Sequence, residues 1–305
     1  MIPSKYFLQR SLILLLLLSS QLFNAVFAEP QDPLKQTVNF RQIKDYAWLA
    51  NAVYQPLQTL KKTPFPAGYS LISYHNHSDL NIAYFIAVNQ ANGSQVIAVR
   101  GTDNIDNALV DVALQLQLDK QAGIKLHRGF ALAARSIYEE IKPLLDPEKT
   151  VHTTGHSLGG AVALILAMYL DSDNFKLSKV VTFGQPKVSN IRGSETYQHL
   201  SLLRIVTPLD LVPIVPPLDP MDIYNLDIYW HGGTEIVLNQ DNSYSILQGL
   251  NSMLRATSFT QQMFNEQNLN HHRMSVYLDL IDNKIEQSKQ VPYIINFNLF
   301  NLFGK

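Results

Sequence analysis

Residues 150–170 read Thr-Val-His-Thr-Thr-Gly-His-Ser-Leu-Gly-Gly-Ala-Val-Ala-Leu-Ile-Leu-Ala-Met-Tyr-Leu, and this stretch decides the fold. Its first part, 150–154, is rich in β-branched residues and predicts a short strand. Its last part, 158–170, is apolar on nearly every side and therefore predicts a buried helix. The two are joined by Gly155-His156-Ser157-Leu158-Gly159. A G-x-S-x-G turn between a strand and a helix is typical of a nucleophile elbow.

The tight turn gives Ser157 its chemical interest. We expect the serine to adopt a strained backbone conformation, with Gly155 and Gly159 leaving room for it. Its oxygen would then stand at the carboxyl end of a strand, where α/β sheets bind ligands. The helix that begins at Leu158 offers free backbone N–H groups to a developing oxyanion. The alternative is a glycine-rich turn that only packs a strand on a helix.

The rest of the chain alternates strand-like and helical patterns around this turn. Asn92-Gly93 separates two apolar runs and indicates a hairpin. Alternation of this kind predicts an α/β fold with a mostly parallel central sheet flanked by helices, in one domain over residues 29–305. The predicted strands are 82–88, 95–99, 110–118 (with alternate apolar residues on one face), 150–154, 179–183 and 202–206, and the predicted helices are 46–54, 124–143, 158–170, 244–259 and one from about 273.

Composition narrows the function further. The 305 residues include 24 Lys plus Arg against 25 Asp plus Glu, with 46% hydrophobic residues. This balance gives no electrostatic basis for nucleic acid binding and favours a neutral or apolar substrate. No cofactor or metal site is predicted, because His75-x-His77 has no partner cluster and the glycines lack the spacing of a P-loop. The chain has no cysteine and hence no disulfide.

The N-terminus has the pattern of an export signal. Lys5 and Arg10 precede the apolar run Leu12–Leu18, and Val26-Phe27-Ala28 supplies small residues at the expected cleavage site. The run is too short for a comfortable membrane span. We therefore predict a signal peptide over 1–28 and export to a periplasm or out of the cell.

A serine nucleophile needs a base and a group that orients it. In a fold of this type the order along the chain is serine, acid, histidine. Asp210 lies just past the strand 202–206, where an orienting carboxylate belongs, although it could also be a turn residue among prolines. The histidines that follow it are His231, His271 and His272.

The chain from about Tyr46 to Leu278 resembles the class 3 (fungal-type) lipase family. The resemblance rests on several short blocks, which include the turn around Ser157 and the loop of Asp210. The resemblance implies the α/β-hydrolase fold and a serine lipase or esterase activity. The matching blocks are Val99-Arg100-Gly101-Thr102, His127-Arg128-Gly129-Phe130, Thr154 to Ala161, Phe183-Gly184-Gln185-Pro186-Lys187-Val188, Leu209-Asp210-Leu211-Val212-Pro213, Tyr229 to Glu235, and His272 followed by Met274 and Tyr277-Leu278.

The resemblance also implies roles. Ser157 would attack the ester carbonyl, His272 would act as base and then acid, and Asp210 would orient His272. Thr102 and the backbone N–H of Leu158 would bind the oxyanion.

The remaining histidines are expected to have other functions. Spacing to Met274 and Tyr277 favours His272 over His271, and a hydrogen-bonded core histidine is the interpretation of His231. His127 and His152 are expected to pack in the core, and His156 to point away from the serine.

One segment departs from the family. Residues 103–109 correspond to the lid but are short and mostly polar, with Ala108 where many members carry tryptophan. The residues 246–254 could form a wall of an acyl pocket or a core helix.

The sequence thus predicts an exported lipase that cleaves fatty-acyl esters of glycerides through an acyl-enzyme and contacts lipid surfaces transiently. The alternatives are a phospholipase or soluble esterase with little interfacial activation, and a non-catalytic lipid-binding scaffold.

Overall fold

The structure is a computed structural model that describes residues 38–78, 81–101, 115–216, 227–257 and 266–294. Several sequence predictions fall outside these residues. They are the signal peptide 1–28, the oxyanion residue Thr102, the segment 103–109, most of the strand 110–118, and the tail beyond residue 294.

A nine-stranded sheet forms the centre of the described chain, in the order β1-β2-β3-β6-β7-β9-β11-β12-β13. The neighbours from β3 through β6, β7 and β9 to β11 run parallel. The hairpins β1–β2, β2–β3 and β11–β12 are antiparallel. The mostly parallel α/β sheet predicted from the sequence is confirmed. These strands are β1 Tyr69–His77, β2 Ile82–Asn89, β3 Gln95–Arg100, β6 Val151–His156, β7 Leu177–Phe183, β9 Leu202–Val206, β11 Thr234–Leu238, β12 Ser243–Gln248 and β13 Lys289–Gln290.

A second, four-stranded sheet has the order β10-β8-β5-β4, and it corrects two predictions. Leu118, expected on an apolar face, is 63% exposed, and the buried residue of its strand is Asp119. Asp119 is buried because it accepts hydrogen bonds from Tyr169 and the backbone N–H of Ala122 and pairs with Arg135. The strands are β4 Leu116–Asp119, β5 Ile124–His127 (predicted as the start of a helix), β8 Ser189–Asn190 and β10 Tyr229–Trp230.

The helix expected after the elbow is present, and its residues 159–170 are all buried. It packs on β6, β7 and β3 on one side and on α3 on the other. The buried helix predicted over 158–170 is therefore confirmed. The helices are α1 Phe40–Ala52, α2 Leu57–Leu60, α3 Arg128–Ile141, α4 Leu158–Ser172, α5 Ile191–Thr196, α6 Gly249–Thr257, α7 Glu266–His272 and α8 Met274–Ile285.

The helix predicted over 244–259 is in part wrong. Residues 243–248 form β12, which pairs with β11 from Thr234↔Gln248 to Leu238↔Tyr244, and helix α6 starts only at Gly249. Gly249 has a φ of +50°, so the chain turns there from extended to helical backbone.

The predicted last helix is confirmed as α8, with Met274, Tyr277 and Ile281 buried on its inner face. His271 and His272 end the preceding helix α7.

Residues 40–305 form one compact unit, and the histidines and carboxylates discussed below all lie in it. Within the described ranges, no helix combines the length and the apolar character that a membrane span requires.

Candidate active site

Ser157 lies at the sharp junction of β6 and α4. Its φ of 59° and ψ of −132° place it in a strained conformation, as the elbow motif predicts. A Cβ at Gly155 would come within 2.4 Å of the Gly159 oxygen, so the turn closes too tightly for any larger residue. The N–H of Ser157 donates to the carbonyl oxygen of Phe183 at 2.9 Å. This bond ties the elbow to the end of the neighbouring strand β7.

Of the two donors predicted for an oxyanion, the N–H of Leu158 directly follows this serine, and Thr102 lies outside the described residues. Leu158 is the first residue of α4, so its N–H has no acceptor in a preceding turn of the helix. Gly101, which precedes Thr102, packs directly against the elbow. A Cβ there would lie 3.0 Å from the Ser157 Cβ and 2.8 Å from the His156 oxygen.

Asp210 and His272 form a buried pair. Nδ1 of His272 is 2.8 Å from Oδ2 of Asp210, and their side chains are 3% and 0% exposed. Asp210 follows β9 and His272 ends α7, so two elements 62 residues apart meet here. Because the carboxylate of Asp210 accepts a hydrogen bond, Nδ1 of His272 carries the proton that it donates. In the neutral ring, Nε2 is then an acceptor.

Two further donors hold the Asp210 carboxylate. The Tyr277 hydroxyl donates to Oδ2 at 2.5 Å, and the N–H of Val212 donates to Oδ1 at 2.9 Å. Burial, together with the adjacent carboxylate of Asp210, raises the pKa of Tyr277 far above its usual value, so this hydroxyl remains a donor. Sequence reasoning placed Tyr277 in a motif without giving it this contact.

Nε2 of His272 is buried and has no hydrogen-bond partner among the described residues. The backbone of His272 is held next to the elbow, because its carbonyl oxygen is 2.6 Å from Nε2 of His156, the neighbour of Ser157 in the chain. A buried polar atom without a partner is costly and is typical of functional sites.

Three of the other histidines have partners away from the Asp210–His272 pair. His231 is buried, with Nε2 2.5 Å from the Pro213 oxygen, which confirms the hydrogen-bonded core role. His127 accepts from the Phe130 N–H at the start of α3, and His152 lies 3.1 Å from the Tyr46 hydroxyl. Both are packing residues, as predicted. The ring against Asp210 is that of His272 and not of His271.

A buried charged cluster anchors the loop that follows Asp210. Nζ of Lys187 donates to the carbonyl oxygens of Ile214 and Pro216, each at 2.7 Å. Burial, with the positive charges of Arg255 and Arg204, lowers the pKa of Lys187 to about 7. Behind it, Glu235 pairs with both arginines, whose guanidinium groups are fully buried. No signal of spacing or periodicity in the sequence marks this cluster.

Gly184, at the end of β7, is the residue that makes room for the pair. Its φ is +57°, and a Cβ there would lie 2.7 Å from Cε1 of His272 and 2.9 Å from Oδ2 of Asp210. A side chain at this position would therefore push the imidazole away from the carboxylate.

We expect Gly184→Ala to lower ester turnover by about a hundredfold, since a misplacement of roughly 1 Å can cost that much. Gly123→Ala is the matched control. Gly123 also has a positive φ, +68°, but nothing lies within 4 Å of an added Cβ. Steady-state rates of both variants measure the effect. Equal rates for the two would show that the close approach to His272 is unimportant.

In the ranges that the structure describes, no group of three or more His, Asp or Glu side chains is arranged to hold a metal ion.

Comparison with known proteins bears on this arrangement. The family model described as Lipase (class 3) matches residues 96–219, which include the elbow and Asp210. A secreted mono- and diacylglycerol lipase 1 from Fusarium solani is 31% identical over 174 residues, covering 54% of this chain and 51% of that protein. The chain thus matches only about half the length of this curated relative.

Solved structures show the same fold. Lip2 lipase from Yarrowia lipolytica superposes with a TM-score of 0.56 at 25% identity, covering 67% of this chain and 80% of the other. A mono- and diacylglycerol lipase from Aspergillus oryzae superposes with a TM-score of 0.62 at 22% identity, covering 79% and 96%. Motifs, fold and relatives agree: residues 96–219 match the class 3 lipase family, and the described chain has the α/β-hydrolase fold of the solved lipases.

Proposed function

We propose that this protein is a serine ester hydrolase that cleaves fatty-acyl esters of glycerides. Ser157 is the nucleophile, His272 the general base and Asp210 the residue that orients it. One observation carries the proposal. His156, the residue before the strained serine, contacts the His272 carbonyl oxygen at 2.6 Å, and His272 forms a buried pair with Asp210 at 2.8 Å. Its remaining nitrogen has no hydrogen-bond partner among the described residues.

The chemistry follows from these groups. The Ser157 oxygen attacks the ester carbonyl carbon while its proton passes to Nε2 of His272. Asp210, held by Tyr277 and Val212, stabilises the resulting imidazolium. The tetrahedral intermediate collapses, the C–O bond to the alcohol breaks, and the alcohol leaves with the proton from His272. Water then repeats the sequence on the acyl-enzyme and releases the fatty acid.

The oxyanion is bound by Thr102 and the Leu158 N–H. The free N–H at the start of α4 and the contact of Gly101 with the elbow support this assignment. Donors fixed in place before the reaction stabilise the developing charge, and each typically contributes a hundred- to a thousandfold in rate.

The substrate class rests on composition and on relatives. A net charge of −1 gives no attraction for charged ligands. A relative is named a secreted mono- and diacylglycerol lipase, which supports acylglycerols as substrates and supports export of this chain. Transient contact with a lipid surface follows from such a substrate.

A fluorophosphonate probe tests the proposal directly. We expect the folded protein to be labelled once, on Ser157, as read by intact mass and peptide mapping, and the heat-denatured protein not to be labelled. A non-catalytic scaffold would give no label, and a label on another serine would overturn the assignment. Rates below and above the micelle point of the ester then separate a lipase from a soluble esterase, since only a lipase gains at the interface.

A further inference from the structure

A second buried imidazole lies directly behind the proposed base. His156, the last residue of β6, is 5% exposed. Its Nδ1 is 2.8 Å from the Tyr54 hydroxyl oxygen, and its Nε2 is 2.6 Å from the carbonyl oxygen of His272. The two imidazole rings are 4.5 Å apart. The side chain thus joins the strand that carries Ser157 to the main chain that carries the base.

The partners of His156 fix its tautomer. A carbonyl oxygen can only accept, so Nε2 of His156 donates to His272. Nδ1 of the neutral ring then accepts from the Tyr54 hydroxyl. The titratable groups that face the ring are Tyr54, His272 and Tyr277. Burial, and then the neighbouring His272, lowers the pKa of His156 well below 6.5, so the ring is neutral at neutral pH.

The main chain of His272 needs such a tie. His272 ends α7, and Arg273 breaks the helix with a φ of −69° and a ψ of 138° before α8 begins. The base therefore lies at a junction between two helices rather than on a strand of the sheet. Asp210 fixes one nitrogen of the ring, but it does not fix where the backbone of the residue lies.

We propose that His156 is a positioning residue: its Nε2–H holds the His272 carbonyl so that Nε2 of His272 faces Ser157. This inference rests on the function proposed above. It differs from a simple packing role because the bond reaches the backbone of the base itself. Loss of the bond lets the base move, and this lowers the rate of the chemical step more than substrate binding.

The chain supplies a matched control on the same strand. His152 lies four residues earlier in β6, on the same face of the strand, and is paired with the Tyr46 hydroxyl at 3.1 Å. It is thus a second tyrosine–histidine pair of the same kind, but among the described residues its ring makes no hydrogen bond or ring contact with His272, Asp210 or Ser157. Replacing it disturbs packing without touching the base.

The test compares kcat and KM for hydrolysis of a p-nitrophenyl acyl ester in four variants alongside the parent. We expect His156→Leu to lower kcat about ten- to a hundredfold with KM nearly unchanged, by the cost of a displaced catalytic group. His156→Gln, whose amide can donate to the same carbonyl, should recover most of this loss. His152→Leu should leave kcat within about twofold of the parent, since it removes packing and no catalytic contact.

The outcomes are distinct. A folded His156→Leu with the parent kcat, or a His156→Gln as slow as the leucine variant, would overturn the inference. If His156→Leu does not fold, His156→Asn replaces it, since its amide is too short to reach the carbonyl, and the same comparison with glutamine applies. Ser157→Ala is the fourth variant. If it matches the parent, the proposed function has failed and this inference fails with it; if it is inactive, the result for His156 stands alone.

Discussion

Replacing Ser157 with alanine is expected to lower ester turnover by roughly a millionfold, because a nucleophile and its base, the roles proposed for Ser157 and His272, act as a unit. The fold should persist. The side chain at position 157 points out of an elbow that is set by β6, α4 and the hydrogen bond to Phe183, none of which uses the hydroxyl. Turnover of short and long p-nitrophenyl acyl esters, together with the thermal midpoint, measures both effects.

Ser201→Ala serves as the control for this variant. Ser201 is exposed, precedes β9 and uses its backbone carbonyl, not its side chain, to accept from Val180. The Ser201→Ala variant should hydrolyse the esters at the parent rate. Should Ser157→Ala keep the parent rate while properly folded, the nucleophile lies elsewhere and the proposed mechanism is wrong.

Replacing His272 with alanine is expected to produce a loss of similar size, on the order of a millionfold. Neither His156 nor His231 can substitute, since His156 has both ring nitrogens bonded and His231 is bonded to Pro213. Because the two groups act together, Ser157→Ala combined with His272→Ala should be no slower than either alone. Rates with the same esters for the single and double variants give this comparison.

His271→Ala is the adjacent control. Nδ1 of His271 has no hydrogen-bond partner among the described residues, and the backbone carbonyl of His271 accepts from the Thr207 hydroxyl at 3.2 Å. The variant should retain activity within about threefold, because it removes no group that contacts the reacting atoms. An inactive His271→Ala beside an active His272→Ala would reverse the assignment of the base.

Much of the fold could be predicted because its signals are local. The buried helix α4 is apolar on all sides, and β6, β7 and β9 are short runs in which valine, threonine, leucine or isoleucine predominate. The elbow needs only the G-x-S-x-G pattern between two such elements. Ser157, Asp210 and His272 could be named because family motifs mark them, and the structure brings Asp210 and His272 together at 2.8 Å.

The wrong predictions concern segments whose secondary structure or burial depends on tertiary contacts. Residues 244–248 follow helical spacing, but they form β12 because the neighbouring strand β11 is available to pair with them. Leu118 belongs to a run in which every second residue is apolar, yet it is exposed, since its strand belongs to the small sheet and buries Asp119 instead. A period of two or of 3.6 residues says which face is apolar, but not which neighbour the chain provides.

The long-range contacts that hold the candidate site in place could not be predicted from the sequence either. The motif that contains Gly184 does not show why a glycine is needed there. A glycine is needed because His272 and Asp210, 88 and 26 residues further along the chain, pack against this position. Lys187 likewise has two carbonyl partners that only the folded loop supplies. Contacts between residues so far apart leave no trace in local spacing.

The wide separation of Ser157, Asp210 and His272 along the sequence has a consequence for how activity is lost when the protein unfolds. Helix α8 follows the proposed base and lies late in the sequence of the compact unit, whereas α1 lies at its start. The two helices pack on each other, and α1 also packs on β6, the strand that leads into the proposed nucleophile. Opening either end therefore separates the reacting groups. Under denaturant, hydrolysis should disappear together with the cooperative melting of the whole domain, so that an ordinary ester assay serves as a gauge of global folding.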